Sequence, residues 1–355
     1  MKVRKGFFLI YRIYDVASEI DLNGISKTFD LKRIELSKKY GIKLAYFRNP
    51  PILVFIEQCS YNNLNCDVFA KFYEFGAIGI IFKIYINDFD INQVFRNFHE
   101  ILNNENIDNI SQNYLKSIFE QYKGFFKKPY FYGDYEDYAI IYILEFDRNL
   151  KSREIINHID IPKLLLGERY NLSKQLRDNV LKNRFSYSDE DLVVLNWDTG
   201  FIYEPDGIMD IPDLIEFANA QLLEFRYYDS YLDSVLDETY SAIEKFRGSF
   251  FEYAKYQKVL KKLLLLYNEI TESKEMILNS LKIFEDSYFA RVYTKMLEIL
   301  GVYNWQRSIE SKERTLFEIY NFLSTQVSNR RLELLEIIII LVIVIDILLF
   351  FVING

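Results

Sequence analysis

The sequence has few of the residues that cross-link, ligate or catalyse. It contains two cysteines, Cys59 and Cys66, and two histidines, His99 and His158, in 355 residues. Two cysteines cannot staple a chain of this length, which favours a reducing compartment. The sequence has no G-x-x-x-x-G-K-[ST] or G-x-G-x-x-G phosphate-binding motif and no G-x-S-x-G nucleophile turn. We therefore predict no catalytic, cofactor-binding or metal-binding residues and favour a non-enzymatic protein.

Positive charge is also scarce. The chain has 51 acidic and 43 basic residues, a formal net charge of -8. The domain-wide positive field typical of DNA-binding proteins is missing, so we expect no direct DNA binding. Residues 122–135 interleave aromatic and basic side chains, as an ordinary surface loop or a patch for RNA or anionic lipid would. Half of the residues are hydrophobic, which excludes a disordered protein.

Proline and glycine nearly disappear from the C-terminal half. No proline follows Pro212, and three of the 13 glycines do. This loss predicts a change from strands and turns to long helices. We predict an α+β fold class, with an α+β domain over 1–205, a helical coiled-coil stalk over 210–330 and a membrane anchor over 332–353.

The N-terminal half predicts a mixed α/β domain. Candidate strands, rich in β-branched and aromatic residues, are FFLIYRIYDV, ILVFIEQ, IGIIFKIYI, YAIIYILEF and DLVVLNW. Segments 67–80 and 191–204 each place an aromatic residue, an acid and a glycine at matching offsets. This indicates a duplicated β-α-β-β-α unit, with chance similarity as the alternative.

Apolar residues in the helical half recur at alternating spacings of four and three. Such a heptad seam is buried between helices and predicts a hairpin or a homo-oligomer. The seam residues are Leu214, Ala218, Phe225, Tyr228, Leu232 and Val235. Asp229, Asp233 and Asp237 share a face, which we expect to be solvated or paired with lysines of the next helix, with a metal site as the sharper alternative.

The segment 332–353 is the most apolar part of the chain. As a helix it would span roughly 33 Å, close to a hydrocarbon core of about 30 Å. Arg330 and Arg331 precede it, and the positive-inside rule then places the rest of the chain in the cytoplasm. Asp346 inside it costs about 2.5–3.5 kcal/mol at a bilayer centre, unless it meets another helix or lies near the far headgroups. We expect a tail-anchored, single-pass protein of the plasma membrane, with Asp346 in a homo-oligomer contact.

Three segments resemble prokaryotic members of the "required for meiotic nuclear division" family. They are 191–233, 280–293 and 318–346. The family has a shared domain of unknown function and includes a mitochondrial inner-membrane protein that forms homo-oligomers and supports translation. The resemblance implies a membrane-anchored oligomeric scaffold that supports translation or tethers ribosomes, with no catalytic residues to transfer. The alternatives are a metal-dependent enzyme that uses acidic residues, marked by acids converging in a pocket, and a lipid or membrane-shape sensor.

Overall fold

The computed structural model describes most of the chain as two compact units. The described residues are 1–29, 45–47, 49–168, 170–244, 253–279, 281–284 and 287–354. The first unit comprises Met1–Tyr227 and Glu275–Trp305, and the second comprises Tyr228–Lys274 and Gln306–Gly355. The predicted division into domains at 205, 210, 330 and 332 stays a prediction.

Strands dominate the first unit. The strands are β1 Lys2–Asp15, β2 Ala17–Ile20, β3 Ala45–Phe47, β4 Ile52–Tyr61, β5 Leu64–Phe72, β6 Ala77–Asp90, β7 Phe126–Pro129, β8 Tyr135–Phe146, β9 Arg184–Phe185, β10 Leu192–Leu195, β11 Thr199–Tyr203 and β12 Leu281–Phe284. An eight-stranded sheet has the order β4-β5-β6-β1-β8-β11-β10-β9, and β12-β3 and β2-β7 form two-stranded sheets. The long strands β1, β6 and β8 are rich in Ile, Phe and Tyr, which fit a sheet surface packed on both faces.

Helices connect the strands and form the C-terminal part. They are α1 Leu22–Phe29, α2 Ile91–Leu102, α3 Asn106–Tyr122, α4 Ser152–His158, α5 Ile161–Leu166, α6 Lys174–Leu181, α7 Asp210–Glu244, α8 Tyr253–Asn279, α9 Ser287–Ile299 and α10 Val302–Asn354. A short 3₁₀ helix follows α3 at Lys123–Phe125. Helix α7 begins with Asp210 and Asp213 in its first turn, where acidic side chains interact favourably with the helix dipole.

The two halves of the large sheet share a strand order but are not a strict duplication. Outward from the centre, one half runs β1, β6, β5, β4 and the other runs β8, β11, β10, β9. The similar segments 67–80 and 191–204 span the β5–β6 and β10–β11 hairpins. However, β1 pairs with β6 antiparallel, whereas β8 pairs with β11 parallel. Each half also has one strand more than the predicted β-α-β-β-α unit.

The side chains of β1 alternate between two helical layers, as the period of a strand requires. Phe8, Ile10 and Tyr14 point into a core that they share with α1 to α6. The odd-numbered side chains lie on the other face, where Tyr11 lines a cleft together with residues of α7. Helix α9 also packs on this face, where Tyr288 lies near Ile202 of β11. The first unit therefore has three layers, with α7 and α9 forming one of them.

The second unit is built from the end of α7, α8 and most of α10. Lys312 of α10 pairs with Asp229 at 2.9 Å and with Asp233 at 2.6 Å, both on α7. The acidic stripe predicted on α7 therefore meets a lysine of α10 at two of its positions. Lys262 of α8 pairs instead with Glu238 of α7.

The predicted membrane span is wrong. No helix in the described part of the chain is long and apolar enough to cross a membrane. Asp346 divides the apolar segment, and the uncharged stretch 337–345 before it is much shorter than the about 20 residues that a span needs. The anchor over 332–353, the tail-anchored topology and the plasma-membrane localisation are therefore corrected. The predicted fold class changes with them, to a mixed α/β structure with a large sheet and C-terminal helices.

Candidate ligand-binding cleft

The first half of α7 is buried on every side and carries charged residues. All residues from 214 to 225 are buried, and Glu216 and Glu224 are each 1% exposed. Proteins seldom bury a carboxylate unless it is paired, because the charged form loses its hydration. The environment of each of these two glutamates therefore depends on the side chains that it contacts on this side of the sheet.

A buried lysine of the sheet holds the first glutamate. The Lys71 ammonium of β5 donates to Asp213 Oδ1 at 2.7 Å and to Glu216 Oε2 at 2.7 Å, and its side chain is 2% exposed. Burial acts to lower the pKa of Lys71, but the two carboxylates outweigh it and raise the pKa. Burial also raises the pKa of Glu216, against the lowering effect of Lys71. Lys71 is thus a fixed cation that joins the sheet to the first turns of α7.

A glycine in the neighbouring strand makes room for this contact. A Cβ atom on Gly79 of β6 would lie 2.5 Å from Glu216 Oε1. Gly79 pairs directly with Lys71 across the β5–β6 ladder. A glycine within a strand often marks such a close approach. The missing side chain therefore lets the Glu216 carboxyl reach the sheet.

A cleft of about 450 Å³ opens beside the ion cluster. Its lining residues come from β1, β4, β5, β6 and the start of α7, and we call it the Lys71 cleft: Tyr11, Leu53, Phe69, Lys71, Ile81, Lys83, Gly207, Ile208, Met209, Asp210, Asp213 and Glu216. The strand residues share one face because Leu53 pairs with Lys71, and Phe69 pairs with Ile81. Aromatic and aliphatic side chains with a few charged groups are typical of small-ligand sites.

The second lysine of the cleft is placed differently. The Lys83 ammonium lies 4.3 Å from the ring centre of Phe7 and 5.4 Å from that of Tyr85, and its side chain is half-buried. Within the described residues, no carboxylate forms an ion pair with it. Burial lowers the pKa of Lys83, and Asp67 acts in the opposite direction. Lys83 therefore presents a cation to the cleft that no carboxylate in the described part of the chain neutralises by contact.

The second glutamate of α7 faces another carboxyl. Asp15 ends β1 and is fully buried, and its two oxygens accept from the Tyr130 hydroxyl at 2.7 Å each. Burial raises the pKa of Asp15 to about 7, and Tyr130 and Glu224 act to lower it. Burial and then Asp15 raise the pKa of Glu224 well above its ordinary value. Tyr130 stacks on Tyr227 of α7, with ring centres 4.7 Å apart.

The residues singled out from the sequence lie outside this cleft, as far as the chain is described. The seam residues are all buried on α7: Leu214, Ala218, Phe225, Tyr228, Leu232 and Val235. Because α7 is buried all round from 214 to 225, the first part of the seam marks no single contact face. Their role between helices or between copies stays a prediction.

The predicted anchor residues lie on α10. Arg331 and Asp346 are exposed, and the side chain of Arg330 lies outside the described residues. With no membrane-spanning helix found in the described residues, their assignment to a membrane boundary has no basis. A contact of Asp346 in a homo-oligomer stays a prediction.

The cleft residues were missed because no motif contains them. Lys71 and Lys83 each interrupt an apolar strand, in VFAKFYEF and IIFKIYI. Glu216 and Glu224 likewise interrupt LIEFANAQLLEF. A single charge inside an apolar run is the signal that could have found them, since such a charge needs a buried partner. For the alternative of a metal-dependent enzyme, no group of three or more His, Cys, Asp or Glu in the described residues could hold a metal ion.

Comparison with known proteins identifies a different family from the one the sequence resembled. The chain is 26% identical over 238 residues to "Uncharacterized protein MJ0711" of Methanocaldococcus jannaschii. The matched region covers 66% of this chain and 71% of that protein. The resemblance to the "required for meiotic nuclear division" family finds no support, so that assignment is wrong. It was based mainly on helical segments after 191, whereas the matching family model covers residues 5–210. These residues include the large sheet and end at the first residue of α7, so the chain belongs to the family described as "Uncharacterized protein MJ0711, N-terminal domain".

Proposed function

We propose that the chain binds a small organic anion with an apolar body in the Lys71 cleft. Lys83 supports this proposal, because it is a cation above two aromatic rings in a cleft and lacks an ion pair among the described residues. An ammonium over aromatic rings keeps its charge while losing part of its hydration. An incoming carboxylate would replace that hydration with a charge-assisted hydrogen bond.

The apolar part of the cleft sets the body of the ligand. Leu53, Phe69 and Ile81 present aliphatic and aromatic surface from three adjacent strands. Burying a ligand chain there removes its apolar surface from water, at roughly 25 cal/mol per Å². A cleft of about 450 Å³ accommodates a drug-sized molecule or a medium-chain acid.

The ion cluster gives the cleft a fixed wall. Lys71 is neutralised by Asp213 and Glu216, so it is not free to pair with a ligand anion. These carboxylates would repel an anion that entered with its head reversed. Attraction to Lys83 and repulsion by the acidic start of α7 therefore orient the ligand, with the acid group at Lys83.

Calorimetric titration with matched probes tests the proposal. We expect octanoate to bind the wild-type protein, and the uncharged octanamide to bind about tenfold to a hundredfold more weakly, because a hydrogen bond to a charged group contributes about 1.5–3 kcal/mol. Lys83→Gln should reduce octanoate affinity by a similar factor, and Lys83→Arg should restore much of it. The control is Lys116→Gln, an exposed lysine on α3 at the opposite face of the sheet.

Two results would contradict the proposal. One is equal affinity for octanoate and octanamide, which would remove the role of the cation. The other is octanoate affinity that stays unchanged in Lys83→Gln, which would place the anion elsewhere. The oligomeric scaffold and the ribosomal partner expected from the sequence stay predictions, the latter without the resemblance that suggested it.

A further inference from the structure

We propose that Asp15 and Glu224 form a proton-binding site, in which one shared proton fastens α7 to β1, and that release of this proton loosens α7. The site is separate from the Lys71 cleft and does not depend on a ligand there. Its three parts come from the end of β1, the segment after β7 and the middle of α7.

The need for a proton follows from the hydrogen-bonding partners of Glu224. Both of its carboxyl oxygens are buried and find no hydrogen-bond partner in the described part of the chain. The carboxyl group that it faces, Asp15, is also fully buried. Two ionised carboxylates can only accept and cannot bond to each other. A proton on either one supplies the missing donor and removes one of two adjacent buried charges.

No basic side chain takes the place of that proton among the described residues. The groups that face the pair are the Tyr130 hydroxyl, which already donates to both oxygens of Asp15, and the Tyr227 ring stacked on Tyr130. Arg226 is the nearest cation along α7, and it pairs with Glu136 and Asp134 instead. Like charges in one buried site raise the proton affinity of the pair, as in paired carboxylates that share one proton.

The backbone holds this site in place. The N–H of Val16 donates to the Gly76 carbonyl at 3.1 Å, and the N–H of Tyr132 donates to the Asp15 carbonyl at 3.2 Å. Gly76 has φ +107, and a Cβ atom there would lie 1.7 Å from the Ala17 carbonyl oxygen. The end of β1 cannot easily move away from Glu224. When Asp15 and Glu224 are both ionised, their repulsion is therefore relieved by movement of α7.

The direction of the pH dependence follows from linkage. The pKa of each carboxyl is raised in the folded state, so the folded state retains a proton that an opened state releases. Stability from this site is full at low pH and is lost as pH rises through the folded pKa, about 7 for Asp15. For each retained proton, the opening equilibrium increases about tenfold per pH unit.

Hydrogen–deuterium exchange of the α7 amides between pH 5 and 7, below the folded pKa of about 7 for Asp15, tests the proposal. Protection factors, corrected for the intrinsic pH dependence of exchange, should fall about tenfold per pH unit over 214–227 in the wild type. The amides of α3, on the other face of the sheet, provide the internal reference. In Glu224→Gln the amide supplies a donor to Asp15 without a proton, so the α7 profile should become flat. Asp237→Asn, an exposed acid on the same helix, should keep the wild-type profile.

The exchange profiles of the wild type and of Glu224→Gln together decide whether the proposal holds. A flat wild-type profile, or a Glu224→Gln profile as steep as that of the wild type, would overturn the proposal. If Glu224→Gln does not fold, Asp15→Asn makes the same test from the strand side. The assay contains no ligand, so a failure of octanoate to bind would count against the proposed function alone.

Discussion

Helix α7 meets the sheet at two buried polar contacts that differ in one component, a cation. At Glu216 the sheet provides Lys71, which bonds to two carboxylates at 2.7 Å each. At Glu224, two helical turns later, the sheet provides Asp15, a second acid. At the first contact a lysine balances the carboxylates, whereas we propose that the second contact, which has no cation among the described residues, needs a proton. We therefore expect the partner on the strand, and not burial alone, to decide the charge state of a helix glutamate.

Removing the lysine should give the largest effect. Lys71→Met leaves the buried Glu216 and the partly exposed Asp213 without their cation, and breaking such a buried pair costs about 3–5 kcal/mol. Trp197 and Trp305 both belong to the first unit, so urea unfolding followed by tryptophan fluorescence reports on it. Adding Glu216→Gln to Lys71→Met should recover part of the loss, because it removes one uncompensated charge. A single-variant loss below about 1 kcal/mol, typical of exposed pairs, would contradict the account.

Filling the space beside Glu216 should have the next largest effect. Gly79→Ala places a methyl group 2.5 Å from Glu216 Oε1, and the carboxyl must move relative to Lys71. Overpacking of this kind costs about 1–3 kcal/mol in unfolding free energy. Gly133→Ala is the control, because its added Cβ would meet nothing within 4 Å. Equal stability of the two variants would mean that Glu216 does not need the glycine.

At the second contact, the effect of a hydroxyl should depend on pH. Tyr130→Phe removes the hydroxyl whose single proton is shared between the two Asp15 oxygens, each 2.7 Å away. This shared hydrogen bond favours the ionised carboxyl and lowers its pKa, so its loss should cost more at pH 8.5 than at pH 5.5. We expect a difference of about 1 kcal/mol in unfolding free energy between the two pH values. Tyr170→Phe, at an exposed tyrosine, should show none, and a pH-independent loss in Tyr130→Phe would mean that the hydroxyl only packs.

Lys83 should matter least for stability and most for binding. Its contacts within the described residues are to aromatic rings, which contribute about 0.5–1 kcal/mol. Lys83→Gln should therefore change the unfolding free energy by less than about 1 kcal/mol while it weakens octanoate binding. Urea unfolding and calorimetry on the same preparation separate the two effects. A loss of stability as large as that of Lys71→Met would assign Lys83 to the fold and not to the ligand.

Local sequence patterns predicted the strands well and the partners poorly. All of FFLIYRIYDV except its last residue lies in β1, and YAIIYILEF lies in β8, since β-branched and aromatic runs favour a sheet that is packed on both faces. The long helix that starts near Pro212 is α7, because proline and glycine no longer interrupt the chain. Periodicity could not show that α7 is buried on every side, because a heptad pattern assumes one contact face.

The pairing of charges depends on chain segments that are far apart in sequence. Lys71 and Glu216 are separated by 145 residues, and neither has a motif around it. The same limitation affected the acidic stripe of α7, for which the sequence suggested lysines of α8, whereas the structure provides Lys312 of α10. The error at 332–353 was of the opposite kind: the apolar composition led to a predicted membrane span, although Asp346 interrupts the segment.

The most direct test of the account is a carboxyl ¹³C NMR titration of Glu216 and Glu224. The signals would be assigned with Glu216→Gln and Glu224→Gln in protein labelled at the glutamate carboxyl carbon. We expect Glu216 to be ionised at pH 7, beside Lys71, and the Asp15–Glu224 pair to retain a proton to a higher pH than Glu216 does. A single shared transition for both glutamates, or a Glu224 signal that is fully ionised at pH 6, would contradict the central claim that the strand partner decides their charge.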